Sequence, residues 1–162
     1  MSRLDSFIRR LEAQRSCLNT AVALVADLSG PILELGLGNG RTFDHLREIC
    51  PEREIFVFER RVAAHPHSVP DDAHLILGDI HETLPAAVAR FGRTVPLIHA
   101  DIGTGDPAGN ARMAAFVANH LPDLLIARGI VVSDQEIHFA GGESLPLPAG
   151  IKPGRYFVNR AC

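Results

Sequence analysis

The sequence predicts an α/β protein, a mostly parallel sheet of five strands flanked by helices, and three observations carry that expectation. Short runs such as "ILEL", "IFVFE" and "PLIHAD" are almost continuously apolar, the pattern of strands buried on both faces. They alternate with stretches whose apolar residues recur at helical spacing, which makes parallel strands joined by crossover helices. The first run also ends in a turn with glycine at positions 36, 38 and 40, a strand-to-helix junction where small residues let a ligand approach the main chain.

The elements follow in order. Ser2 and Asp5 have the spacing of a capping box, and Leu4, Phe7, Ile8 and Leu11 share one helical face. A second series, Leu18, Ala21, Val22, Val25 and Leu28, runs to "SGP", where Gly30 suits a left-handed cap and Pro31 cannot continue a helix. Residues 1–30 are therefore expected to form two helices or one bent helix. Residues 31–136 form the expected core: strand "ILEL", helix "TFDHLREI", strand "IFVFE", a connection broken by Pro66 and Pro70, strand "HLILGD", helix "LPAAVARF", strand "PLIHAD", helix "PAGNARMAAFVANHL", then "LLIA" and "GIVVSD". Residues 137–162 are richer in Gly and Pro, and only "RYFVNR" reads as a further strand. The sheet is thus expected to be truncated after its fifth strand, with this segment closing an edge. No repeat or linker divides the chain, so residues 1–162 form one domain.

Composition removes several function classes. A chain of 162 residues buries roughly 70% of its unfolded surface without staples or metal. Its net charge of −3 offers no excess of positive charge for phosphates, so no nucleic-acid partner is expected. The opening "MSRLDSFIRRLEAQRS" is amphipathic and charged, and no later run reaches membrane-spanning length. A cytoplasmic protein without a membrane partner follows as the expectation. Cys17, Cys50 and Cys162 are odd in number and widely spaced, which reads as reduced thiols. Fifteen arginines accompany a single lysine, Lys152, so no phosphate-loop lysine follows the glycines and a Schiff base has one candidate.

The spacing of the glycines narrows the ligand. A dinucleotide turn, G-x-G-x-x-G, would place its third glycine at Arg41, whereas the chain reads E-x-G-x-G-x-G from Glu34. Glu34 to Gly40 resembles the first motif of class I S-adenosylmethionine-dependent methyltransferases. Glu59 ends the second strand where that family places the acid for the ribose hydroxyls, and Asp79 with Ile80 resembles its third motif, an acid for the adenine amino group and an apolar residue behind the ring. "PLIHADIG" matches the fourth strand and its exit, and "LPDLLIARGIVVSDQE" the helix, glycine turn and fifth strand, so the likeness covers Ile32 to Glu136. It implies a Rossmann-like methyltransferase fold and S-adenosyl-L-methionine as cofactor. Glu34, Gly36, Leu37, Gly38, Gly40, Thr42, Glu59, Arg60, Asp79, Ile80 and Asp101 are the cofactor-binding residues it implies. The chain departs from the family in the interrupted helix around Pro66 and Pro70 and in the short segment after the fifth strand, which together leave a small substrate cap.

Methyl transfer from a sulfonium needs in-line positioning and in some cases a base. Candidates at the carboxyl ends of strands are His99, Asp101 and Asp134, with His81 further out. Asp101 leads, because it leaves the fourth strand beside the first, at the switch point of such sheets; a turn-capping role is the bland alternative. His99 is the second catalytic candidate, although its apolar run also suits a core histidine. His65 to His67 read as a surface loop. Arg9, Arg10 and Arg15 read as a solvated face, or as a source of one arginine over an anionic substrate or the methionine carboxylate. Asp101 and Asp134 end adjacent predicted strands, and Gln135 follows the second acid, a set similar to the Asp-Asn pair of catechol-type metal-dependent O-methyltransferases. That likeness implies a magnesium site at Asp101, Asp134 and Gln135. The expected function is methyl transfer to a small-molecule acceptor, with a homo-oligomer left open. Aminopropyl transfer, nicotinamide-dependent redox chemistry and non-catalytic cofactor binding stand as alternatives on the same fold.

Overall fold

The computed structural model describes residues 2–162. Helix α1, Arg3–Leu24, is a single uninterrupted helix whose capping box is present, Ser2 Oγ accepting from the Asp5 amide and the Asp5 carboxylate from the Ser2 amide. Gly30 does not cap it. The helix has ended six residues earlier, and Gly30 takes φ +123° where a Cβ would lie 2.0 Å from the Thr94 carbonyl oxygen; the glycine permits a chain crossing. The apolar face expected at the start of α1 is also not core. Leu4, Phe7 and Ile8 are exposed, whereas Ala13, Cys17, Leu18 and Ala21 are buried.

Strands β1 (Ile32–Leu35), β2 (Ile55–Glu59), β3 (Leu75–Leu77), β4 (Val95–Ala100) and β5 (Leu125–Ser133) are parallel, as expected. "LLIA" and "GIVVSD" fuse into β5, with Arg128 at φ +66° and a register shift against β4 between Val95 and Leu97. The sheet does not stop there. β6 (Gly142–Ser144) and β7 (Phe157–Ala161) complete a seven-stranded sheet of order β3-β2-β1-β4-β5-β7-β6, with β7 antiparallel to both neighbours. The expected truncation is thereby corrected: among the described residues the helix between β5 and β6 is missing, not the strand pair.

Helices α2 (Arg41–Ile49), α3 (Ile80–Phe91) and α4 (Pro107–Leu124) complete the layers. One core joins α1 and α2 to the sheet through Leu18, Leu46, Ile32 and Ile130. The other packs α3 and α4 on the opposite face through Leu84, Leu121, Leu33 and Leu35. Burial on both faces explains the continuous hydrophobicity of β1, all four of whose residues are buried. Between β2 and β3 the prolines leave only one 3-10 turn, Pro66–Ser68. Register then sets the site: Leu35 pairs with Ala100 and Ala100 with Ser133, so Gly36, Asp101 and Asp134 leave the sheet side by side at one carboxyl edge.

Candidate active site

The glycine turn begins at Gly36, φ +92°, where a Cβ would lie 2.9 Å from both the Asp101 carbonyl oxygen and Ile102 Cγ2. No side chain fits between the exits of β1 and β4. Gly38, φ +53°, has no atom within 4 Å of a Cβ position, so its main chain faces open space. Gly40 has a different task. It begins α2 in the left-handed region, and a Cβ there would lie 2.5 Å from the Ser68 carbonyl oxygen, so it serves close packing against the proline-containing connection and lines neither cavity described next.

Two cavities meet over this turn. The larger, about 430 Å³, is walled by Glu59, Arg60, Asp79 and Ile80 and is floored by Gly36 and Gly38. The smaller, about 240 Å³, lies between the turn and α1, with Phe7, Arg10, Gln14, Leu37 and Thr42 around it. Asp101 lines both.

In the larger cavity Glu59 binds the turn itself. One oxygen accepts from the amides of Leu37 (2.8 Å) and Gly38 (3.2 Å), the other from those of Arg60 (2.8 Å) and Arg61 (3.1 Å). Burial alone would raise its carboxyl; the four N–H donors outweigh burial and hold it below the usual value. Asp79 caps α3, accepting at 2.9 Å from the His81 amide, with His81 Nδ1 at the same distance.

The smaller cavity is closed by side chains from distant parts of the chain. Arg10 donates to Asp101 Oδ1 at 2.5 Å, and Gln14 Nε2 donates to Asp101 Oδ2 at 2.7 Å. The same Gln14 nitrogen donates at 2.5 Å to the hydroxyl of Tyr156, which is fully buried just before β7. Both oxygens of Asp101 are thus engaged, and it stands in the site as an oriented carboxylate.

Two predicted site residues lie beneath the cavities rather than in them. Glu34 is fully buried and accepts from the Thr42 hydroxyl, so it holds Thr42 in place without lining either cavity. His99, expected as a catalytic group, is also fully buried and lines neither cavity; its Nε2 lies 3.4 Å from the Tyr156 hydroxyl and its Nδ1 3.6 Å from Glu34. Where His99 was expected at the site, the structure places it in the interior, beneath both cavities.

The expected magnesium set does not fit the ion. Arg10 and Gln14 occupy the Asp101 oxygens, and Gln135 turns its amide nitrogen, not an oxygen, toward Asp134 at 3.2 Å. Among the described residues no three His, Cys, Asp or Glu side chains converge as a metal ligand group, and magnesium needs several oxygens in a near-octahedral shell. The guanidinium of Arg10 supplies the positive charge beside these acids. Asp134 Oδ2 accepts from the Gly103 amide at 3.0 Å, while Oδ1 is buried without a partner. Burial first, and the neighbouring Asp101 second, push the Asp134 carboxyl up.

A doubly wound sheet whose ligand cleft opens at the β1/β4 switch point, over a glycine turn and beside an acid ending β2, defines the nucleotide-cofactor class of α/β proteins. Within that class, residues 1–161 match the family described as S-adenosyl-L-methionine methyltransferase, and the chain belongs to it. It is similar to the crystal structure of the S-adenosyl-L-methionine methyltransferase of Silicibacter pomeroyi, at 51% identity over 100% of this chain and 99% of that one, with a TM-score of 0.95. TrmN of Thermus thermophilus (13% identity, TM-score 0.58, 88% of this chain and 47% of that one) and a probable spermidine synthase of Corynebacterium glutamicum (15%, 0.53, 74% and 46%) share the fold alone. No curated protein matches the chain. The protein is accordingly an S-adenosyl-L-methionine-dependent methyltransferase, which decides among the chemistries that the sequence leaves open. Among the described residues no helix is long and apolar enough to cross a membrane.

Proposed function

We propose that the protein transfers the methyl group of S-adenosyl-L-methionine to a small-molecule acceptor, with the adenosine half of the cofactor in the larger cavity and its methionine half in the smaller. One observation carries this reading: the two cavities share Gly36 and Gly38 as lining, so a ligand reaching across both passes a main chain that has no side-chain volume. On the adenosine side Glu59 is ionised and held by the very turn it serves, so ribose hydroxyls can donate to it. Asp79 offers the oxygen that His81 does not use to the adenine amino group, with Ile80 against the ring. The bound cofactor supplies an electrophilic sulfonium methyl. The chain supplies position: α1 roofs the smaller cavity through Phe7, Arg10 and Gln14, and this narrow cover beside the cofactor favours a small acceptor. Magnesium has no part in this proposal.

Isothermal calorimetry with S-adenosylhomocysteine is the first test. Wild type is expected to bind, and Gly38→Val to lose binding while remaining folded, because the added side chain enters the open space above the turn; equal affinity in the variant would place the ligand elsewhere. Methyl-labelled cofactor incubated with a size-fractionated extract tests the acceptor. Label is expected in the low-mass fraction, and label in protein or RNA would overturn the small-molecule assignment.

A further inference from the structure

We propose that a third cavity, between α1 and the segment preceding β7, binds the dianionic phosphate group of a small molecule through Arg9, Lys152 and Arg155. It shares no lining residue with the two cavities over the glycine turn, so it stands whatever occupies them.

The cavity measures about 330 Å³, within the range of small-molecule pockets. Arg9, Glu12 and Ala13 of α1 form one wall, and Gly150 to Pro153 with Arg155 form the other. Both walls are anchored. Ala13 is buried in the core beneath α1, and Ile151 packs against that same core. Arg155 ties the walls together, donating to the Ser6 hydroxyl at 2.7 Å. Arg9 and Arg10 are neighbours in the chain, yet they line different cavities.

Charge defines the ligand. Three cations and one acid, Glu12, surround this space in a chain whose net charge is −3. The wall thus has an excess of two positive charges, and a phosphate monoester carries close to two negative ones at neutral pH. A single carboxylate would leave one of those charges unmatched. The hydrogen-bond partner of Arg155 here is a neutral hydroxyl, and among the described residues neither Arg155 nor Lys152 has a carboxylate within ion-pair distance. Asp5 is a further acid that feels the charge of Arg9, and it is engaged by Ser2 in the helix cap. Two guanidinium forks match phosphate oxygens in pairs, and the chain's one lysine adds a point charge. A bound phosphate bridges α1, the roof of the smaller cavity, to the segment before β7 and so strengthens the docking of that roof.

The single lysine makes the site directly readable. Reductive methylation with carbon-13 formaldehyde labels Lys152 and the terminal amine, and the resonance lost in Lys152→Arg belongs to Lys152. Titration with pyrophosphate at constant ionic strength should move that resonance along a saturating curve and raise the melting temperature. By calorimetry Lys152→Glu and Arg155→Ala should each weaken pyrophosphate by about tenfold or more, while Lys152→Arg keeps it within about threefold. Arg41→Ala, on the cofactor side, and Arg93→Glu, an exposed charge elsewhere, should leave it within about twofold. Sedimentation with phosphatidylcholine vesicles containing phosphatidic acid separates the sources of the phosphate. Protein left in the supernatant assigns the site to a soluble phosphate, and pelleting that Lys152→Glu abolishes assigns it to a lipid headgroup. A Lys152 resonance that does not saturate at millimolar pyrophosphate overturns the site. So does equal weakening in Arg41→Ala or Arg93→Glu, which would mean attraction to the whole surface or binding in the cofactor cleft.

Discussion

The two halves of the cleft are built by opposite means. Beside the larger cavity a single carboxylate, Glu59, is tied to main-chain amides, two of them in the glycine turn and two directly after itself. Around the smaller cavity the contacts run between side chains across separations of 87, 91 and 142 residues. The first half is a product of secondary structure, since strand ends and a turn suffice to place it. The second exists only once α1 and the segment before β7 have docked on the same face of the sheet. The acids differ in sign too: backbone donors hold Glu59 below its ordinary value, whereas burial raises Asp134.

The strongest way to break this contrast is at the seam between the halves. Gly36→Ala forces a Cβ to 2.9 Å from the Asp101 carbonyl oxygen at a positive φ, and should destabilise the fold by about 2–4 kcal/mol in urea denaturation. Gly38→Ala meets no atom and should cost only about 1 kcal/mol. Equal losses would show that the exits of β1 and β4 are not packed as described. Next in size is Glu59→Ala, which should weaken S-adenosylhomocysteine by roughly ten- to a hundredfold. Because the Glu59 carboxyl is lower in the folded protein than its ordinary 4.5, its stabilisation is full above that pH and is lost as pH falls through the folded value. Glu59→Gln should accordingly flatten the acid limb of a melting-temperature profile; an unchanged limb would remove Glu59 from the stability of the turn. The smallest effect belongs to Asp134. Its folded carboxyl is raised above the ordinary 3.8, so the ionised form opposes folding above that pH and the penalty vanishes on acidification. Asp134→Asn should raise the melting temperature at pH 7 by a few degrees and make no difference near pH 3, and a variant less stable at pH 7 would contradict that sign.

The same division governs what could be read from the sequence. β1 and β2 are legible because buried parallel strands need unbroken apolar runs, α2 because its apolar residues recur at helical spacing, and Gly36 and Gly38 because their spacing follows a strand end. The purpose of Gly40 was not legible, since its close neighbour Ser68 lies in a connection whose path no local rule supplies. β6 was missed because "GES" is exposed and has no alternation to detect. His99 and Glu34 stood in the right strands, but the pattern of a doubly buried strand does not say which side chain reaches a cavity. Among three leading arginines nothing marked Arg10. Gln14 did carry a signal that went unused: it falls in helical register with Cys17, Leu18 and Ala21, a lone polar residue on a buried face. Tyr156 carried less, as the chain's one tyrosine beside a predicted strand.

The placement of β7 between β5 and β6 has a consequence for the order of assembly. β6 precedes β7 in the chain yet has no neighbour until β7 inserts beside β5, so a nascent chain carrying β6 holds an unmatched segment until the 17 residues from Leu145 to Ala161 have emerged. Tyr156 enters with that insertion, long after α1 has been synthesised. A chain that has completed the five parallel strands would already possess the turn and Glu59 but would lack the Tyr156 hydroxyl that accepts from Gln14, so the cleft is completed only when β7 pairs with β5.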